Sequence, residues 1–155
     1  TVKDDNPLNP RDYLGRTWVT RPGVHIDRIA TAWFIRRFVD AVAVIRCDGV
    51  VRTPRDIRFD MAEAEFTHEG GECTFEVMVR RFGFASDKAL AAVCAVVHDI
   101  DLDEACPCRS ESPGIAALIL GIALHTDSDK ERLEQGFRIF DALLEYYKRS
   151  ATACK

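Results

Sequence analysis

Two histidines and a dense group of carboxylates between Asp60 and Asp103 are the residues whose types best suit chemistry. Residues 60–76 run DMAEAEFTHEGGECTFE and residues 96–104 run VVHDIDLDE, so His68 and His98, two of the four histidines, lie among acidic neighbours. Neutral imidazole together with carboxylate is a donor set for a divalent cation such as zinc, iron or manganese. Without a cation, gathering so many carboxylates would raise their pKa values through mutual repulsion. The candidate metal ligands are His68, His98, Glu65, Glu76, Asp99 and Asp101. His98 and Asp101 are three residues apart near the end of a predicted helix and would share one face. Glu65 and His68 have the same spacing. The pattern is neither a zinc finger nor HExxH, and a capping histidine with solvated carboxylates is the competing explanation.

A second cluster lies in TRPGVHIDRIA, residues 20–30, where Arg21, His25, Asp27 and Arg28 surround a turn. If a strand ends there and a helix begins, the free N–H groups of the helix start attract anions. Arginine forks suit tetrahedral oxyanions, so Arg21, His25 and Arg28 are the candidate anion-binding residues. A structural Asp–Arg pair beside a helix-start histidine would look the same.

The elements that position these residues follow from periodicity and punctuation. Thr17 to Arg21 has strand character, and Pro22-Gly23 ends it. His25 to Asp40 carries Ile26, Ile29, Ala30, Trp33, Phe34 and Phe38 at helical spacing. Val42 to Arg46 and Ile57 to Phe59 are further strands, and the first strand, helix and second strand have the size of one βαβ unit with parallel strands. If all three strands run alike, Asp60 arrives at the same sheet edge as Arg21. Helices are expected at Thr74–Phe82, Lys88–Ile100, Gly114–His125 and Asp129–Lys148, the third-last capped by Ser86 and the last by Asp127 or Ser128. The expected fold is α+β: a small N-terminal βαβ-type sheet, then a cluster of about four helices. Residues 1–15 are an extended arm, 16–150 the domain and 151–155 a tail.

At 155 residues the length is that of one domain. A net charge of −4 argues against direct nucleic-acid binding through a broad basic face. No apolar run approaches the ~18 residues of a membrane span, and the N-terminus lacks the order of a secretion signal. Six cysteines are too few for a disulfide scaffold of this length, so a reducing, cytoplasmic setting is expected. Cys106-Pro107-Cys108 could bind a soft metal, but the intervening proline restricts mutual approach and an ordinary loop fits as well. A homodimer is compatible with the composition.

Three segments in order, TRPGVHIDRIATAWFIRRFVD, FDMAEAEFTHEGGECTFEVMVRRFGF and VVHDIDL, resemble the bacterial chromate-resistance domain. That domain forms the C-terminal half of the chromate-operon regulator and also occurs in stand-alone and rhodanese-linked proteins. The resemblance covers roughly residues 16–148 and takes in Arg21, Asp27, Arg28, Glu65, His68, Cys73, Glu76, His98, Asp99 and Asp101; the Cys106–Cys108 loop departs from it. It implies a role in sensing chromate or lowering its accumulation. No catalytic activity and, without the regulator's N-terminal half, no DNA binding come with it.

Three functions compete. The first is a metal-binding chromate-resistance or chromate-sensing accessory domain, with chromate or a similar oxyanion as partner. The second is a metal-dependent hydrolase or redox enzyme, in which His98-Asp99 resembles the adjacent pair of helical phosphohydrolases, with His68 upstream and Asp127 or Asp129 downstream. The third is a purely structural or partner-binding module.

Overall fold

The computed structural model describes residues 6–103 and 107–153. Three short strands, β1 (Thr17–Val19), β2 (Val44–Arg46) and β3 (Ile57–Arg58), form one parallel sheet in the order β2-β1-β3. Trp18 lies opposite both Ile45 and Ile57, so the carboxyl ends of all three strands open on one edge. Helix α1 (Ile26–Phe34) makes the crossover from β1 to β2, and Ile35–Val39 continues it as one π-helical turn closed by Asp40 N–H to the Ile35 carbonyl, 2.8 Å. Four helices follow: α2 (Thr74–Arg81), α3 (Lys88–Asp101), α4 (Ser112–His125) and α5 (Asp129–Ala153). The α+β class and the parallel sheet agree with expectation.

Several boundaries differ. Pro10–Tyr13 is a turn of 3-10 helix, because Asn9 caps Arg11 N–H and proline opens the turn, so the N-terminal arm is not extended there; residues 1–5 lie outside the described residues. The cap of α3 is Asp87, whose carboxylate accepts from Leu90 N–H, and not Ser86. Ser128 Oγ accepts from Glu131 N–H at the start of α5. The last helix runs on through Ala153, into the expected tail, of which residues 154–155 lie outside the described residues.

The core is aromatic and centres on α1. Trp33 and Phe34 are fully buried and pack against Phe38, Phe75, Phe82, Phe84 and Phe140. The indole N–H of Trp33 is satisfied by Asp141 Oδ1 at 2.8 Å, and the same carboxylate holds the Arg37 fork at 2.8 Å through each oxygen. Helix α4 behaves differently. It has no charged residue from Ser112 to Leu124, yet only Ser112, Ile119 and Ile122 are buried, and Leu118, Leu120 and Leu124 face solvent.

Helices α1 and α5 meet at Gly136, where an added Cβ would sit 2.4 Å from Ile29 Cγ2. Gly136→Ala gains about 1 kcal/mol of helix propensity. Overpacking against a fully buried isoleucine costs about 1–3 kcal/mol, so the variant is expected to unfold at lower urea concentration than wild type. An unchanged or raised midpoint would mean that the two helices separate freely.

Candidate functional site

The turn after β1 is fastened from a distance. Asp129, the first residue of α5, accepts N–H groups from Gly23 at 2.9 Å and Val24 at 2.8 Å and pairs with Arg132. Gly23 has φ +78°, a conformation that glycine adopts without strain. This fixes the approach to α1 and places Asp27 in its first turn, where the side chain is buried. The Asp27 carboxylate reaches the start of α2 and accepts Thr74 N–H at 3.0 Å and Phe75 N–H at 2.8 Å. These are orphan donors of a helix N-terminus, so one carboxylate satisfies two of them and sits at the positive end of the helix. Burial nevertheless dominates and raises the Asp27 pKa, with the neighbouring Asp60 charge acting in the same direction against the two N–H groups.

His68 closes over this carboxylate. Its Nε2 lies 3.0 Å from Asp27 Oδ2, 3.6 Å from Asp101 Oδ2 and 3.7 Å from Asp60 Oδ1. Asp101 ends α3, and Asp60 follows β3 with φ +46°. Asp60 is held by Arg28 Nε at 3.2 Å and by the Thr74 hydroxyl at 3.2 Å. Burial pushes the Asp101 carboxyl up to about 6; the Asp27 and Asp60 charges add to the rise and His68 opposes it.

One donor atom from each of Asp27, His68 and Asp101 falls within 4.8 Å of the other two. Nitrogen and oxygen ligands bind zinc at about 2.0–2.2 Å, so two ligands of one ion stand about 3–4 Å apart. The His68 distances are already of that size. The donor chemistry fits a borderline divalent ion. The crowded acids fit as well, because a cation relieves the repulsion and desolvation that hold their pKa values high.

The six expected metal ligands therefore divide. His68 and Asp101 come together, with Asp27 and Asp60 beside them. Glu65 is drawn off by Arg58, accepting its backbone N–H at 2.7 Å and pairing with its guanidinium at 3.3 Å. Asp99 points to the start of α4, where it accepts Cys108 N–H, Arg109 N–H and Ser112 Oγ–H at 3.0, 2.9 and 2.6 Å. Burial opposes its charge, yet those three donors hold its pKa below the usual value. Glu76 and His98 bond to each other, Oε1 to Nδ1 at 2.7 Å. Of the cysteine loop, Cys106 lies outside the described residues and Cys108 is exposed.

The two constellations that looked separate in sequence face one cleft of about 450 Å³. Arg21, His25 and Arg28 line it together with Asp27, Asp60, His68 and Asp101. Arg28 is mostly occupied, since its Nη1 also donates to the carbonyls of Arg21, Pro22 and Gly23 at 3.0–3.2 Å. Arg21 and His25 are exposed on the rim. Sequence groups Asp27 with the arginines of the strand-to-helix turn. The signal for its other role is an acid set among Ile26, Ile29 and Ala30 in the first turn of a helix with a mostly apolar face, where an unpaired charge is costly.

A family model described as "ChrB, C-terminal domain" matches residues 18–147. The chain belongs to this family of bacterial chromate-resistance domains. It is also 34% identical over 141 residues to "Protein ChrB" of Cupriavidus metallidurans (strain ATCC 43123 / DSM 2839 / NBRC 102507 / CH34), an alignment covering 90% of this chain and 43% of the relative. This ChrB-family chain thus spans less than half of the relative's length. No solved structure matches it. Among its described residues no helix is long and apolar enough to cross a membrane.

Proposed function

We propose that this ChrB-family domain holds a divalent metal ion, of the zinc, iron or manganese class, on Asp27, His68 and Asp101, and that the loaded site receives chromate or a similar tetrahedral oxyanion for sensing or resistance. The observation that carries this reading is the convergence of three donor side chains from α1, the loop before α2 and the end of α3. Charge supports the second half. With Asp27, Asp60 and Asp101 ionised against Arg21 and Arg28, the cleft carries net negative charge and repels a dianion; a dication reverses that sign. Three protein ligands would leave coordination positions open on such an ion, and Arg21 and His25 line the same cleft.

Arg21 tests the anion half, because it is exposed and its side chain can be replaced without stripping donors from the turn. In zinc-loaded protein, Arg21→Glu is expected to weaken chromate binding by about tenfold or more in a calorimetric titration at low salt, with the melting temperature unchanged. Equal affinity in wild type and variant would remove the rim from the anion site.

The alternative, a metal-dependent hydrolase or redox enzyme, rests on the same open positions, at which a metal could activate water. It no longer rests on the His98-Asp99 pair, whose aspartate is engaged with α4.

A further inference from the structure

We infer that Glu76 and His98 are positioning residues that set the separation of Asp27 and Asp101, a role that rests on the metal-binding reading above. Asp27 is clamped by the N–H groups of Thr74 and Phe75, so its place depends on where α2 begins. The next donor back, Cys73 N–H, is taken by Glu76 Oε1 at 3.1 Å. That oxygen also meets His98 Nδ1 at 2.7 Å. His98 stands three residues before Asp101 on α3, one helical turn away. One carboxylate oxygen thus ties the start of the helix that holds Asp27 to the end of the helix that carries Asp101.

The Glu76 oxygen already accepts Cys73 N–H, so the tautomer with its proton on Nδ1 suits this short contact. Ligands bind an ion tightly only when they are held close to their productive geometry before it arrives, and here the holding runs through two helix ends rather than through direct bonds to the ligands. The two residues that sequence alone nominates as ligands would then act one layer out, through helices rather than on the ion.

Zinc titration followed by calorimetry, and cobalt titration followed by visible absorption, test this on the whole chain. Breaking the strut with His98→Ala is expected to weaken zinc about 10- to 100-fold while leaving the cobalt band positions of the saturated protein unchanged. His98→Asn, whose side-chain amide N–H sits near the place of Nδ1–H, is expected to recover affinity to within about threefold of wild type. If the alanine variant does not fold, the asparagine variant decides alone, and a loss beyond tenfold overturns the inference. Unchanged zinc affinity in His98→Ala overturns it too. Shifted cobalt bands in either variant would make His98 a ligand and equally overturn it. Wild-type protein that binds neither ion would instead overturn the metal reading itself, an outcome distinct from the other three.

Discussion

Replacing Asp27 with alanine is expected to cost about 2–4 kcal/mol of stability and to abolish metal binding. The side chain is 3% exposed and accepts two N–H groups at the buried start of α2. Truncation leaves both donors unpaired, at about 1–3 kcal/mol each. Loss of a carboxylate whose ionisation burial opposes gives part of that back. Asp27→Asn separates structure from ligation. Its carbonyl can still accept one N–H, so the fold is retained, but the anionic donor between His68 and Asp101 is gone. Chemical unfolding of the alanine variant and zinc titration of the asparagine variant check the two halves. The second is expected to show a loss of about 100-fold or more, which corresponds to about 2.7 kcal/mol. An alanine variant as stable as wild type would mean that the first turn of α2 finds other acceptors.

In the metal-free protein the contribution of Asp101 to stability is expected to fall as pH rises from about 4 to about 6, opposite in sign to that of the hydrogen-bonded carboxylates such as Asp99 and Asp141. Asp101 titrates near 6 in the folded chain, because it is partly buried and faces Asp27 and Asp60. Unfolded, it titrates near the ordinary value of about 3.9. Between those values the folded state keeps a proton that the unfolded state has released, so this group's contribution falls with pH across that window and is flat on either side. Asp27 is raised as well and acts in the same direction. Asp101→Asn removes the contribution of this group. Without metal, the variant is expected to match wild type near pH 4 and to melt higher near pH 7. The same proton competes with a cation, so zinc affinity is expected to climb up to tenfold per pH unit below about 6 and to level off above it. A variant that melts lower than wild type at pH 7 would contradict the assignment of strain to this carboxylate.

What could be read from the chain was mostly local. Thr17–Val19, Val44–Arg46 and Ile57–Arg58 announce themselves by apolar runs bounded by Pro22-Gly23 and Asp48-Gly49, and a strand–helix–strand unit of that size is parallel. Helices α2 to α5 follow from period and caps, with differences of a residue or two at most ends, where for instance Asp87 outcompetes Ser86, and of five residues at the end of α5. Residue types pointed to metal chemistry and placed His68 and Asp101 among the candidates. The choice among carboxylates was not legible, because each one's fate is decided by a partner far along the chain. Glu65 meets Arg58 only because Phe59 and Phe66 bridge alongside β3. Asp99 is consumed by the start of α4, ten or so residues on. Asp27 gains its role from α2, 47 and 48 residues away. The union of the two clusters likewise needed the sheet order β2-β1-β3, which sets the turns after β1 and β3 side by side.

The central claim is that Asp27, His68 and Asp101 share one cation. Stripping the protein with chelator and titrating it with zinc at pH 7 tests this most directly. One equivalent bound, a raised melting temperature, loss of both in Asp27→Asn and His68→Ala, and retention of both in Glu65→Gln is the expected result. No stoichiometric binding of zinc, iron or manganese, or binding that survives both ligand substitutions, would contradict it.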